Sequence, residues 1–194
     1  MRKFMFYLCI IVLLLTGIPV CAVTFSDLNQ SHWAYENIMR LSNAKIVNGY
    51  EDGTFRPENM VTYGEFMKLV ICSYLPEDKI LNIEGKHWAL KYVYTAEVYE
   101  LISIGSISIE NLDKPITRMN MVKFLAIIDK NMTTEEYVKT KELDFTDIYH
   151  LPREYCEYLE RVVNKGYILG NPDKTFKPEE NLTRAEMVTI LTRL

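Results

Sequence analysis

Gly49-Tyr50-Glu51-Asp52-Gly53-Thr54-Phe55-Arg56-Pro57 and Gly170-Asn171-Pro172-Asp173-Lys174-Thr175-Phe176-Lys177-Pro178 are two spellings of one connector. Glycine, aspartate and proline at matching places mark a tight turn that runs into an extended stretch. Other blocks recur around them in a constant order. Phe25-Ser26-Asp27 returns as Phe145-Thr146-Asp147, His32-Trp33-Ala34 returns as His87-Trp88-Ala89, and Thr62 returns at Thr117 and Thr183. Several blocks repeated in order identify an internal repeat, in which one supersecondary unit is used more than once.

The repeats agree in periodicity as well as in letters. Counting +4, +7, +8 and +11 from each threonine gives Phe66, Leu69, Val70 and Ser73, then Met121, Phe124, Leu125 and Ile128, then Met187, Ile190, Leu191 and Leu194. This spacing predicts one apolar helix face written three times. Ile38 and Leu41 after Trp33, Val93 and Ala96 after Trp88, and Leu159 and Val162 predict another helix earlier in each repeat. That register puts Glu154, with Tyr155 beside it, at the third tryptophan position. Thr62-x-x-Glu65 and Thr183-x-x-Glu186 read as capping boxes, whereas Thr117 is followed by Asn120 and its box is incomplete. A lone helix pair cannot bury its stripe, so the three second helices are expected to form a central bundle, with first helices and turn-rich connectors outside.

Residues 1–22 read as a secretory signal: Arg2 and Lys3, an apolar run from Phe4 to Leu15, then Val20-Cys21-Ala22. The run is shorter than the ~20 residues of a spanning helix, and an uncleaved anchor is the alternative. The repeats then divide the chain at 23–75, 76–130 and 131–194, with polar linkers at Pro76 to Lys86 and Lys130 to Asp144. Hydrophobic residues at 48% and charged residues at 25% fit a folded chain rather than a disordered one. Without residues 1–22 the net charge moves from −4 to −6, which argues against a nucleic-acid partner. Cys72 and Cys156 lie within apolar helical patterns; buried free thiols are expected, a disulfide being the alternative. No Cys/His spacing marks a metal site, and no cofactor is expected.

The blocks His32-Trp33-Ala34, Gly49 to Pro57 and Leu182-Thr183-Arg184-Ala185-Glu186 together resemble the S-layer homology domain, in three consecutive copies across the chain after residue 22. The resemblance implies a mainly α fold, a pseudo-threefold three-repeat prism around a three-helix bundle. It also implies a role: anchoring at the bacterial cell wall or S-layer by binding a secondary cell-wall polymer, with pyruvylated sugars as one ligand, or else a different peptidoglycan-linked polymer, in grooves between repeats. The arginine of Thr-Arg-Ala-Glu would contact the acidic substituent. The implied ligand-binding set is Arg184, Arg118, Trp33, Trp88, Asp27, Asp147, Gly49 and Gly170.

The residues supply a rationale beside the resemblance. Arg118 and Arg184 follow a cap threonine, where a helix start offers free amides and a positive end, and a guanidinium adds a planar fork for a carboxylate. Trp33 and Trp88 either stack on a sugar or pack the core. Asp27 and Asp147 either bind sugar hydroxyls or brace the turn. Asp52 and Asp173 read as turn residues rather than calcium ligands. Tyr63 stands where the first copy lacks arginine, so at most two anion grooves are expected, at Arg118 and Arg184. The alternative function is a degenerate scaffold that binds another surface protein. A wall hydrolase is disfavoured, because acid pairs such as Glu179-Glu180 fall on turns without a pocket signal.

Overall fold

A computed structural model describes residues 23–133 and 138–194. The chain is mainly helical, as the periodicity predicts. The first helices are α1 (Tyr35–Asn43), α3 (Leu90–Val98) and α5 (Arg153–Asn164), and the second helices are α2 (Tyr63–Tyr74), α4 (Arg118–Met132) and α6 (Arg184–Leu191). Short 3-10 turns at Glu77–Lys79 and Ile109–Asn111 lie in the first linker and the middle connector. The expected signal lies outside the described residues.

Each second helix starts where its threonine caps it. Thr62 accepts from the Glu65 amide and Thr183 from the Glu186 amide, each glutamate reaching back to complete its box. Thr117 accepts from the Asn120 amide alone. Just before the caps, three extended segments meet in a closed ring of hydrogen bonds. Val61 N–H donates to Leu182 O at 2.8 Å, Leu182 N–H to Ile116 O at 2.9 Å, and Ile116 N–H to Val61 O at 2.9 Å. Val61, Ile116 and Leu182 are buried there, so the ring pairs backbone groups that have lost water.

The outer helices pack one repeat out of step. α3 lies on α2, α5 on α4, and α1 on α6. Each first helix therefore covers the second helix of the preceding repeat, and the chain closes on itself. This explains why the central helices bury more than the predicted stripe. Met67 and Ile71 on α2 and Val122 and Ala126 on α4 are also buried, because each helix has a bundle side and an outer-helix side. Ser73, expected on the buried face, is exposed.

The clearest polar feature of the interior is Asp129 on α4, fully buried. Arg161 of α5 pairs with it at 2.7 Å, and the Tyr167 hydroxyl donates to it at 2.8 Å. A buried carboxylate needs this degree of satisfaction. The linker from Lys130 is less loose than its composition predicts: α4 continues to Met132, and Asn164 accepts from the Thr140 and Lys141 amides, both at 2.7 Å. Cys72 and Cys156 are unpaired. The expected burial fails for both: Cys72 is exposed as a residue and Cys156 is only partly buried.

Candidate functional site

The connector explains four of the predicted site residues in structural terms. Asp27 accepts from the Phe55 and Arg56 amides, both at 2.7 Å, and Asp147 accepts from the Phe176 and Lys177 amides at 2.8 and 2.7 Å. Both oxygens of each carboxylate thus brace the turn. Gly49 and Gly170 sit against Phe25 and Phe145: a Cβ there would meet the ring at 2.3 and 2.2 Å, and Gly170 also has φ +75°. The same module holds Phe25 on Phe55 and Phe145 on Phe176, with centroids 5.2 and 5.8 Å apart. Asp52 and Asp173 close their turns by accepting from Thr54 and Thr175. The Thr54 hydroxyl, then Arg56, holds the Asp52 carboxyl down at about 2.

His-Trp-Ala is a second module. His32 Nδ1 accepts from the Ala34 amide at 3.2 Å, and His87 Nδ1 from the Ala89 amide at 3.1 Å, which braces the turns that lead into α1 and α3. Their Nε2 atoms face Glu58 at 3.2 Å and Asp113 at 3.0 Å. Each histidine lies beside its tryptophan at 5.7 and 5.5 Å. The alanines are fully buried, while Trp33 and Trp88 are 61% and 51% exposed. The core-packing reading of the tryptophans therefore fails: the histidine and alanine hold the turn, and the indole is turned outward. The third copy replaces this module with an earlier helix start, so Glu154 and Tyr155 lie inside α5.

The free helix-start amides expected beside the arginines are absent. Arg118 N–H donates to Glu180 O and Met119 N–H to Pro178 O, while Arg184 N–H donates to Asn59 O and Ala185 N–H to Pro57 O. The lead-in segments of a neighbouring repeat satisfy these donors. Positive charge for a ligand must come from side chains.

Two grooves result, each shared by all three repeats. One, of about 330 Å³, brings Trp88 and Arg184 together over Asn48, Phe55, Glu65 and Lys68. The other, of about 510 Å³, brings Trp33 and Arg118 together with Gly170, Asn171, Glu186 and Arg193. Both volumes lie within the roughly 300–1,000 Å³ typical of ligand pockets. Arg184 donates to Phe55 O and Asn48 O, both at 3.0 Å, and lies over the Tyr50 and Phe55 rings at 5.0 and 4.6 Å. It has no carboxylate partner among the described residues. Arg118 is buried, donates to Phe176 O at 2.8 Å and is ion-paired with Glu186.

The equivalent third corner holds no arginine. The Tyr63 hydroxyl accepts from Asn120 at 2.7 Å, and its ring meets Phe124 edge-on at 6.3 Å. Burial pushes the Tyr63 phenol up from its usual range. The missing arginine of the first copy and the missing glutamate of the second are thus one site. Glu65, Glu186, Lys68 and Arg193 escaped the sequence reading as groove residues. The glutamates read as capping residues, the Lys68 position recurs as Lys123 but not in the third copy, and Arg193 has no counterpart cation. Among the described residues no His, Cys, Asp and Glu cluster is placed to hold a metal, and no helix is long and apolar enough to cross a membrane.

Comparison with known proteins agrees with this architecture. The chain is 33% identical over 167 residues to a cellulosome-anchoring protein of Acetivibrio thermocellus, covering 78% of this chain and 35% of that protein. It is 27% identical over 168 residues to cell surface glycoprotein 1 of the same organism, covering 76% and 7%. It is 22% identical over 180 residues to an endoglucanase of a Bacillus species, covering 89% and 19%. The chain thus spans about a third or less of the length of these relatives. The family described as S-layer homology domain matches residues 24–67 and 144–188, the two copies that carry the full connector. By these two matches and its relatives, the chain belongs to the S-layer homology domain family.

Proposed function

We propose that this chain is a non-covalent anchoring module of the bacterial cell surface, which holds a wall glycopolymer in its inter-repeat grooves. The carrying observation is that both grooves set an outward-facing tryptophan beside an arginine that starts a central helix. An indole face suits a sugar ring and a guanidinium suits an acidic substituent, such as the carboxylate of a pyruvylated sugar. The relatives named for cellulosome anchoring and for the cell surface support the wall location. The endoglucanase match covers 19% of that enzyme, so it supports an attached anchoring region rather than a catalytic one. Of the two grooves, Trp88–Arg184 is the stronger candidate, since its arginine has only carbonyls and rings for company.

The test is co-sedimentation with the organism's own purified sacculi, with and without wall polymer, for wild type, Arg184→Ala and Trp88→Ala. Polymer-dependent pelleting that either substitution weakens is expected. Folded wild type remaining in the supernatant would remove the reading.

A second reading, a scaffold for another surface protein, is favoured by one observation. Tyr94, Val98 and Ile104 are exposed apolar residues on and just after α3. Persistent capture of one protein partner together with absent wall binding would select it.

A further inference from the structure

The Trp33 groove contains two arginines, and they are not equivalent. Arg118 is 7% exposed; its Nε is bound to Phe176 O, its Nη1 to Glu186, and its guanidinium lies 5.2 Å from the Phe176 ring centre. Its charge is compensated, and its fork is largely occupied by the protein. Arg193, just past the end of α6, lines the same groove and is partly exposed. Its side chain makes one hydrogen bond, from Nη1 to Tyr167 O at 3.1 Å, and has no carboxylate partner among the described residues. The carboxylate that reaches this groove, Glu186, is already matched to Arg118. The groove's net positive charge therefore resides on Arg193.

We infer that Arg193, not Arg118, is the cation that reads an acidic sugar in the Trp33 groove, while Arg118 is a structural residue that ties α4 to α6. This rests on the glycopolymer reading above and assigns the ligand-contacting charge within it. The ligand is a sugar bearing a carboxylate, stacked on Trp33 with its acidic group toward Arg193. A ligand group competing for Arg118 would have to displace Glu186, which also caps α6 through Thr183. At Arg193 only Nη1 is held, by Tyr167 O, and no carboxylate has to be displaced. Neither of the other copies has a cation at this place, since Cys72 and Ile127 lie at the same distance from their cap threonines. The Trp88 groove also carries a second cation, but there it is Lys68, one helical turn earlier from its cap threonine.

The chain has two tryptophans, one in each groove, so their indole N–H resonances report the grooves separately. The full chain, labelled with nitrogen-15, is titrated with soluble polymer released from the organism's own wall, intact or with its carboxylates amidated. In wild type both indole signals should respond to intact polymer. In Arg193→Gln the apparent Kd read at Trp33 should rise about tenfold, the scale of one lost charge-assisted contact, with the Trp88 response unchanged. Amidation should weaken the wild-type Trp33 response to a similar extent. Silence of both indoles in wild type would sink the glycopolymer reading itself. A normal wild-type response that Arg193→Gln or amidation leaves intact would overturn the assignment to Arg193 while sparing that reading. Thermal melting is the control: Arg118→Met should melt well below wild type and Arg193→Gln near it. An equal fall in both would make Arg193 structural and overturn the proposal.

Discussion

The corner where Arg118 meets Glu186 and the corner where Tyr63 meets Asn120 occupy the same place in the repeat, and they fill it with opposite chemistry. The first is a buried ion pair. The second is a neutral hydrogen bond at 2.7 Å between a phenol and an amide, each of which stands where its counterpart carries a charge. The difference shows that charge and countercharge are exchanged together. A guanidinium opposite Asn120 would be half-buried without a partner, and a carboxylate opposite Tyr63 would lack its cation. The third corner, at Arg184, is intermediate: Glu65 lines the groove, but the arginine is held by carbonyls and rings instead.

Removing one partner of the charged corner should have the largest effect. Arg118→Met leaves Glu186 beside an apolar wall and should lose about 3 kcal/mol, the low end for a broken buried pair because Glu186 keeps some contact with water. Adding Glu186→Gln should recover part of that loss in denaturant melts. If the double variant is no better than the single one, the two residues are not coupled. The reverse exchange comes next. Tyr63→Arg alone should cost roughly 2 kcal/mol, and Asn120→Glu added to it should return about 1 kcal/mol or more by supplying both a counterion and a complete capping box.

Arg184→Gln is expected to separate binding from folding. It should weaken retention on wall polymer about tenfold with a melting temperature near wild type, because the arginine's protein contacts are two hydrogen bonds to carbonyls and two ring faces, with no carboxylate left unpaired by its loss. A large drop in melting temperature would place Arg184 with Arg118 instead.

The smallest effect belongs to the interior. Tyr74 on α2, beside Asp129 and Tyr167, is pushed up to about 12 by burial, and then by the Asp129 charge. A raised phenol contributes stability that is whole below the unfolded value of 10.0 and is lost as pH climbs through about 12. Tyr74→Phe should therefore change little at neutral pH and should flatten the alkaline loss of stability between those values.

Much of the fold was legible because its determinants are local. A cap threonine and a glutamate three residues on act within one turn, and the 3.6-residue period acts within one helix. The His-Trp-Ala and Asp-braced connectors were recognisable as modules, though not for the reasons that hold them. His32 and His87 read in sequence only as parts of a repeated block, yet they hold the turns that lead into the helices; Asp27 and Asp147 read as either sugar contacts or braces, and both oxygens of each are taken by amides. The helix-start amides looked free because nothing local satisfies them. Their acceptors, Asn59 and Pro57 for α6 and Glu180 and Pro178 for α4, come from another repeat.

By itself the sequence determined the repeat, the starts of the three second helices and which residues of each copy differ, since all of these are written in short-range spacing. Only the tertiary structure decided what meets what. Each outer helix packs one repeat out of step, so Trp88 faces Arg184 and Trp33 faces Arg118 across long stretches of chain. Arg184 binds Asn48 O from 136 residues away. No spacing rule encodes such a meeting: it follows from closing three apolar stripes around one core, which fixes the partners of every groove only when the last repeat is in place.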